Sequence, residues 1–466
     1  MSNKFYKKVA HRASTFNCAR LQKINFAFIS RSYTARYNLT MKVGRKNIFH
    51  NYSKLFSFWL WISAFLFLSI TSTLYAKGLT LDEILRIGLQ VNPEIRSLEE
   101  RIEAAKGAVI QAGTAPNPDA NIRVEDYSPG NGTAKTTLGF TQRLEYPGKR
   151  STRKSIALEN VEILKLTLEG TRIDVNYKLK KVFYDILQAS KNLSLYQGNH
   201  AVTRGLLELV NHRLKQGLGG DFDVAKASVE FIKSEKLLKE SEGLLNLAKS
   251  QLNILINNPQ DSPIDIQSNI ATYLPHSELS CDDLIRRAMN RHPVILIQMH
   301  RIKGLDYNVA LNKLSAKPDV DVGLAGGLET LGNPDNNPVA EFSISVPMPI
   351  WDRKKGAIAQ AKGEKKGAEE FLKQVQRDIT QEVLDAFNKY TITQKTIRFY
   401  QEGILTKTAN TRNIIRQSFE KGFLNFLDVV DAQRTYLDVM LNYYQSLYDL
   451  HIAEAQLGKA IGGNLP

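Results

Sequence analysis

Cysteine is scarce in this sequence of 466 residues, which contains only Cys18 and Cys281. Because Cys18 lies in a leader segment described below, the mature chain keeps one thiol and cannot form an intramolecular disulfide. Packing alone must therefore hold the fold. We expect Cys281, beside two aspartates, to be structural, since a lone thiol is more often structural than a metal ligand.

Catalytic signatures are also missing. The sequence has no phosphate-binding glycine loop, no nucleophile elbow and no zinc motif. The histidines after the leader are scattered: His200, His212, His276, His292, His300 and His451. We therefore predict neither an enzyme nor a resident metal or cofactor.

Acidic residues are absent from residues 1–76, which hold twelve of the 62 Lys and Arg. The formal net charge of +15 is therefore concentrated at the N-terminus, and the remainder is close to neutral. A basic chain would suggest nucleic acid as a partner, but this distribution argues against nucleic-acid binding.

The N-terminal segment has the parts of an export signal. Basic residues precede an apolar run, Leu55 to Ile70, and a segment ending in Ala76 follows it. We predict a signal peptide over 41–76 and an upstream leader over 1–40, the latter explained by a start codon placed too far upstream. The alternative is an uncleaved anchor, although the apolar run is shorter than the roughly 20 residues of a membrane-spanning helix.

The chain repeats itself. The segment LTLDEILRIGLQVNPEI from Leu79 returns as LSCDDLIRRAMNRHPVI from Leu279, and Gly217 and Asp223 return as Gly422 and Asp428 after 205 positions. We predict a first repeat over 77–256, a linker over 257–278 and a second repeat over 279–466. Thr80 and Ser280 are the expected N-caps of the helices that open the two repeats.

Each repeat then changes from helical to strand-like periodicity. Ile122 and Val124, then Leu138 to Tyr146, alternate with polar residues around a turn at 128–132; in the second repeat 320–328 and 342–348 alternate around a turn at 332–338. Four strands of about 10 residues could each cross a bilayer. Tyr146 and Trp351 stand at the strand ends, where an aromatic membrane-interface belt is expected. A soluble sheet with one wet face, and a buried junction tryptophan, are the alternatives.

Long helices follow the strands. Residues 149–216 and 353–420 each run for 68 positions without proline, about 100 Å as a helix. Return helices are predicted over 221–256 and 426–461. Their apolar residues recur at threes and fours, which is typical of coiled-coil packing. A scaffold protein could share this pattern, but it would need neither an export signal nor two amphipathic hairpins.

This order of elements resembles the TolC-type outer-membrane efflux family over about Leu79 to Ile461. The segments LEYPGKR (144–150) and PIWDRKKG (349–356) are most similar to the branch that serves cobalt, zinc and cadmium efflux. The resemblance implies a mainly α fold with membrane β: a homotrimer whose twelve-stranded β-barrel continues into a periplasmic α-helical tunnel.

The resemblance also implies a site at the helix tips. Asp428 and Asp431, with Asp223 in the first repeat, fall on the family's periplasmic gate positions, and three copies would bring the carboxylates towards one axis. Gly217, Leu218, Gly422 and Phe423 would contact a periplasmic adaptor. The family's gate arginine is replaced by Leu424. Helix capping by the aspartates, and plain turn geometry for the tips, are the alternatives.

The function implied is a passive duct in the bacterial outer membrane. It would work with a periplasmic adaptor and a proton-driven inner-membrane pump, and its cargo would be divalent heavy-metal cations. A duct for drugs or proteins is the alternative, followed by a periplasmic coiled-coil scaffold that never enters a bilayer.

Overall fold

The computed structural model describes residues 78–128, 133–218, 220–267, 279–331 and 336–465. The predicted leader and signal peptide, and the second half of the predicted linker (268–278), lie outside the described residues. No helix in these ranges is both long enough and apolar enough to cross a membrane.

The first half of the chain forms two short helices, a hairpin and two long helices. In order these are α1 (Leu81–Val91), α2 (Pro93–Ala112), β1 (Asp119–Ser128), β2 (Thr133–Leu144), α3 (Lys149–Lys215) and α4 (Asp221–Leu255). The second half has the same order. It comprises α5 (Cys281–Arg291), α6 (Pro293–Ser315), β3 (Val320–Leu331), β4 (Asn336–Ser345), α7 (Lys355–Phe399), α8 (Leu405–Glu420) and α9 (Phe426–Ala460).

Side-chain caps begin several of these helices. Thr80 and Glu83 form a reciprocal capping box at α1, and Asn92 accepts hydrogen bonds from two amides of α2. Ser280 occupies the N-cap of α5 as predicted, but its side chain makes no capping hydrogen bond. The next helix, α6, has a side-chain cap: the imidazole of His292 accepts a hydrogen bond from the amide of Val294 at 3.3 Å.

The long helix of the second repeat is interrupted, which the sequence analysis did not predict. A π-helical turn, Tyr400–Ile404, separates α7 from α8, and Gly403 within it has a non-helical backbone. α3, by contrast, runs unbroken for 67 residues.

The main core lies where the short helices pack against the long ones. Ile84 of α1, Leu179 of α3 and Leu252 of α4 are fully buried, together with Val383 of α7 and Leu457 of α9. Both halves of the chain therefore share one apolar core. The core is tightly packed where α1 meets α3, because a Cβ added at Gly88 would lie 2.5 Å from Leu179 Cδ1.

The four strands form one antiparallel sheet in the order β1-β2-β3-β4. Three predicted boundaries are wrong. Tyr146, Val346 and Met348 lie beyond the strand ends, and β4 begins at Asn336, inside the predicted turn. Pro338 is tolerated in β4 because this strand lies at the sheet edge.

Candidate functional site: an amphipathic sheet and two helix tips

One face of the sheet is apolar and exposed. The register places Phe140, Leu324 and Phe342 side by side, with 58%, 64% and 65% of their surfaces accessible. Other exposed apolar residues on this face are Ile122, Val124, Leu138, Leu144, Leu328 and Ile344. Because burying such a side chain stabilises a fold by about 1.5–3 kcal/mol, this face lacks the cover that an ordinary soluble sheet would have.

The opposite face is polar. Arg143 on β2 forms an ion pair with Asp321 on β3 at 2.9 Å, and Lys135 pairs with Glu341. Gly327 allows β3 to approach β2 closely, since an added Cβ would lie 1.9 Å from the carbonyl oxygen of Thr136. The sheet thus separates an apolar face from a polar one.

The strand-to-helix junctions lie at one end of the sheet. Asp319, just before β3, accepts hydrogen bonds from the Lys149 ammonium and the Tyr146 amide, both at 2.7 Å. Tyr146 is 37% exposed, and Trp351, after β4, is 92% exposed. Within one copy, Trp351 is therefore not the buried junction tryptophan considered as an alternative.

The two helix tips have the same backbone geometry. Gly217 and Gly422 follow the C-caps of α3 and α8 with φ angles of +70° and +84°. The next amide, of Leu218 or Phe423, returns to a carbonyl five residues earlier, 3.0 Å and 2.9 Å away respectively. Both tips are Schellman motifs, which explains why glycine stands at both positions.

The tips also contact each other. The guanidinium of Arg213 donates a hydrogen bond of 2.6 Å to the carbonyl of Phe419 and lies 4.4 Å from the centre of its ring. A small apolar cluster, the tip cluster, lies beside this contact. It contains Leu206, Val210, Ala227, Phe419, Phe426, Val429 and Val430.

A second cross-link joins α4 to α9. The Nε of Arg434 lies 3.3 Å from an oxygen of Glu230, which also binds Lys233. Burial alone would raise the pKa of the Glu230 carboxyl, but the hydrogen bonds from Arg434 and Lys233 hold it below its ordinary value. The contacts of Arg213, Glu230 and Arg434 could not be predicted from the sequence, because nothing in the local pattern indicates that residues about 200 positions apart meet.

The predicted gate aspartates differ in their surroundings. Asp428 forms a capping box with Asn425: its amide donates to the Asn425 side chain at 3.0 Å, and its carboxylate accepts from the Asn425 amide at 3.3 Å. Asp431 is exposed and makes no hydrogen bond or ion pair within the described part of the chain. Asp223 lies in the first turn of α4.

The tip residues expose a small apolar surface. Leu218 is 75% exposed and Phe423 is 80% exposed. Phe222 and Leu427, which were not predicted from the sequence, are also exposed in the first turns of the return helices. No group of three or more metal-ligating side chains occurs among the residues that the structure describes.

Comparison with known proteins identifies the class. Residues 85–258 and 284–463, one segment in each half, match the family model described as outer membrane efflux protein. The chain belongs to this family, and it is an efflux channel component of the outer membrane. Members of the family are channels rather than enzymes.

Individual relatives agree. The cobalt-zinc-cadmium resistance protein CzcC of Cupriavidus metallidurans is 26% identical over 83% of this chain and 91% of its own length. The outer membrane protein TolC of Vibrio cholerae is 21% identical over 84% and 92%. The crystal structure of VceC, also from Vibrio cholerae, superposes with a TM-score of 0.66 at 16% identity, covering 82% of this chain and 96% of VceC. The predicted family resemblance is confirmed.

Proposed function

We propose that three copies of this chain close a twelve-stranded barrel in the outer membrane, continuous with a periplasmic tunnel of long helices. The exposed apolar face of the sheet carries this proposal. A sheet with open edges cannot remain in lipid, and four strands are too few to close a barrel, for which about eight are needed. Other copies must therefore supply the missing strands.

The helices support the same assembly. Among the long helices, α3 and α9 each expose a single large apolar side chain, Leu158 and Leu427. The outer helices α4, α7 and α8 expose many more: Phe222, Val229, Ile232, Leu244, Leu247, Ile254, Phe371, Ile392, Phe399 and Ile414. Unpartnered apolar stripes of this kind favour packing against another copy.

The duct works as one part of a three-component system. The exposed tip residues Gly217, Leu218, Gly422 and Phe423 contact a periplasmic adaptor, and an inner-membrane pump, driven by protons, supplies the energy. Tyr146 and Trp351 meet the lipid interface at the end of the barrel. Asp428, Asp431 and Asp223 form a carboxylate ring near the tunnel end, which favours cations and resists anions.

The cargo is divalent heavy-metal cations. This part of the proposal is supported by the similarity to CzcC, which is named for cobalt, zinc and cadmium resistance. It is tested by deleting the coding sequence and measuring growth in cobalt, zinc and cadmium salts. We expect increased sensitivity to at least one metal, reversed by the wild-type chain.

The alternative cargoes give different results. Unchanged metal tolerance with increased drug sensitivity, or with loss of a secreted protein, would replace the metal assignment by drug or protein export. A scaffold that never enters the bilayer would be found in the soluble periplasmic fraction. Outer-membrane fractions that release the protein only in detergent support the duct.

A further inference from the structure

A cavity of about 280 Å³ lies between α3, α4 and α9, next to the tip cluster. On α9 the tip cluster ends at Val430 and the main core begins at Tyr443, so neither apolar cluster fills the stretch between them. All of the residues that line the cavity come from these three helices. Its walls are therefore supplied by a single chain.

Much of the cavity wall is apolar. The apolar side chains that are each less than 10% exposed are Leu206, Ala227, Phe426, Val430 and Leu437. An apolar lining with a few polar groups is the usual form of a small-molecule site. The polar groups then decide which molecule fits.

Two side-chain amides in the wall keep polar atoms free. Gln433 is 8% exposed, and its Nε2 donates a hydrogen bond of 3.0 Å to Asn199 Oδ1. The Oε1 of Gln433 and the Nδ2 of Asn199 make no hydrogen bond within the described part of the chain. Because an acceptor without a partner at a buried position costs free energy, Gln433 Oε1 favours a ligand that carries a donor.

The hydroxyl groups of the wall are already engaged. Thr203 Oγ1 lies 2.7 Å from Ser234 Oγ and donates to the carbonyl of His200 at 3.0 Å. Ser234, which is 2% exposed, donates to the carbonyl of Phe231 at 2.7 Å. These hydroxyls hold α3 against α4 and leave the amide of Gln433 as the main neutral contact for a ligand.

The charged groups of the wall leave one carboxylate unpaired. Glu230 binds both Arg434 and Lys233, so these three residues form one ion-pair network. Asp438, the fourth charged residue of the wall, is exposed and forms no ion pair among the residues that the structure describes. A free carboxylate beside an apolar cavity is complementary to an ammonium group with an apolar body.

We infer that this cavity binds a small organic amine with an aromatic body. The ammonium group forms an ion pair with Asp438, the ring packs against Leu206 and Leu437, and a ring N–H donates to Gln433 Oε1. Asp438 lies five residues after Gln433, about 7.5 Å along the axis of α9, so one arylalkylamine reaches both groups. Because it contacts three helices at once, the ligand stabilises this arrangement of the tips over one in which they separate.

The probe for this site is tryptamine, which has an ammonium group, an apolar ring system and a ring N–H. Isothermal titration calorimetry of the detergent-purified protein should show saturable binding with one site per chain. 3-Ethylindole, which lacks only the amino group, should bind at least tenfold more weakly. Tryptamine should also slow hydrogen exchange in α4 and α9 beside the cavity.

Asp438→Asn should weaken tryptamine binding at least tenfold and leave the binding of 3-ethylindole unchanged. The matched control is Glu235→Gln, which removes an exposed carboxylate of α4 that does not line the cavity and forms no ion pair in the described ranges. This variant should bind tryptamine as the wild type does. Binding that does not saturate, or that is equally strong in Asp438→Asn, would overturn the site. Either result leaves the proposed duct standing, because the duct rests on the sheet and the cavity lies within one chain.

Discussion

Arg213 links the tip of the first helical hairpin to the tip of the second through its contact with Phe419. Its guanidinium donates a hydrogen bond to the Phe419 carbonyl, which also accepts one from the Gly422 amide at 2.9 Å, and it faces the Phe419 ring. The sequence predicts the reversal at Gly217 and Gly422 because glycine favours positive φ. It does not predict Arg213, since one more basic residue near a helix end has many possible partners.

Substituting Arg213 by alanine should loosen the tips. A hydrogen bond from a charged donor contributes about 1.5–3 kcal/mol, and the ring contact adds about 0.5–1 kcal/mol. We expect faster hydrogen exchange in the last turn of α8, measured by mass spectrometry. Arg204→Ala is the control, because Arg204 lies 5.9 Å from the ring centre of Phe231 and makes no comparable hydrogen bond in the described structure. Equal effects of the two substitutions would contradict the role of Arg213.

Removing the charge of Asp431 should change the ion selectivity of the channel without changing its thermal stability. It is exposed and unpaired in the described structure, whereas Asp428 caps α9. We expect Asp431→Asn to lower the cation preference of the purified channel in planar bilayers, with unchanged thermal stability. Asp428→Ala should lower both, because alanine cannot accept the hydrogen bond from the Asn425 amide, and such capping interactions contribute about 0.5–2 kcal/mol. Unaltered selectivity in both variants would remove the gate assignment.

His292 makes one helix start sensitive to acid. The ring is 8% exposed, accepts a hydrogen bond from Val294 and packs against Gly462 after α9. Burial lowers the pKa of His292; the carboxylate of Asp174 opposes this effect and the ammonium of Lys459 adds to it. The unfolded chain therefore binds a proton more readily, and stability should fall as pH drops from about 6.5 through the lower folded pKa.

Replacing His292 by asparagine tests this prediction, because Asn92 caps the equivalent helix of the first repeat. The variant should lose part of the decrease in melting temperature between pH 7 and pH 5, measured by intrinsic fluorescence in detergent. His212, which is exposed on α3, provides a control as His212→Asn. An identical pH profile for wild type and His292→Asn would show that the cap does not titrate in this range.

At the scale of elements, periodicity predicted the type of each element better than its ends. Alternation identified the hairpins, because neighbouring side chains on a strand point to opposite faces. Alternation wrongly extended β4 to Val346 and Met348. Pro347 and Pro349 preserve the alternation, but they lack the amide hydrogen that a strand needs for ladder hydrogen bonds. The π-helical turn at 400–404 was not predicted, because the apolar spacing continues across it.

The outer helices should be needed for assembly. We expect Leu247→Asp on α4 to decrease the trimer fraction in detergent at least tenfold, because a carboxylate would replace an apolar contact between copies. Leu158→Asp on α3 is the control, since Leu158 is 46% exposed and lies on a central helix. Size-exclusion chromatography with light scattering measures both. Dissociation caused equally by both substitutions would contradict a specific α4 interface.

At the scale of the whole molecule, the two repeats form one continuous sheet and one shared helical core. Each repeat supplies two strands and two long helices, and the second repeat is joined to the first through α3, α9, β2 and β3. The remaining apolar surfaces, on the sheet face and the outer helices, are exposed in a single copy. The family match and these surfaces together account for a chain that functions in a membrane.

The most direct test of this account is the mass of the mature protein after extraction from membranes in detergent, measured by native mass spectrometry. The account predicts a particle of three copies that aggregates when the detergent is removed. A single copy that stays in solution without detergent would contradict it, because the apolar face of the sheet would then have to be covered within the chain.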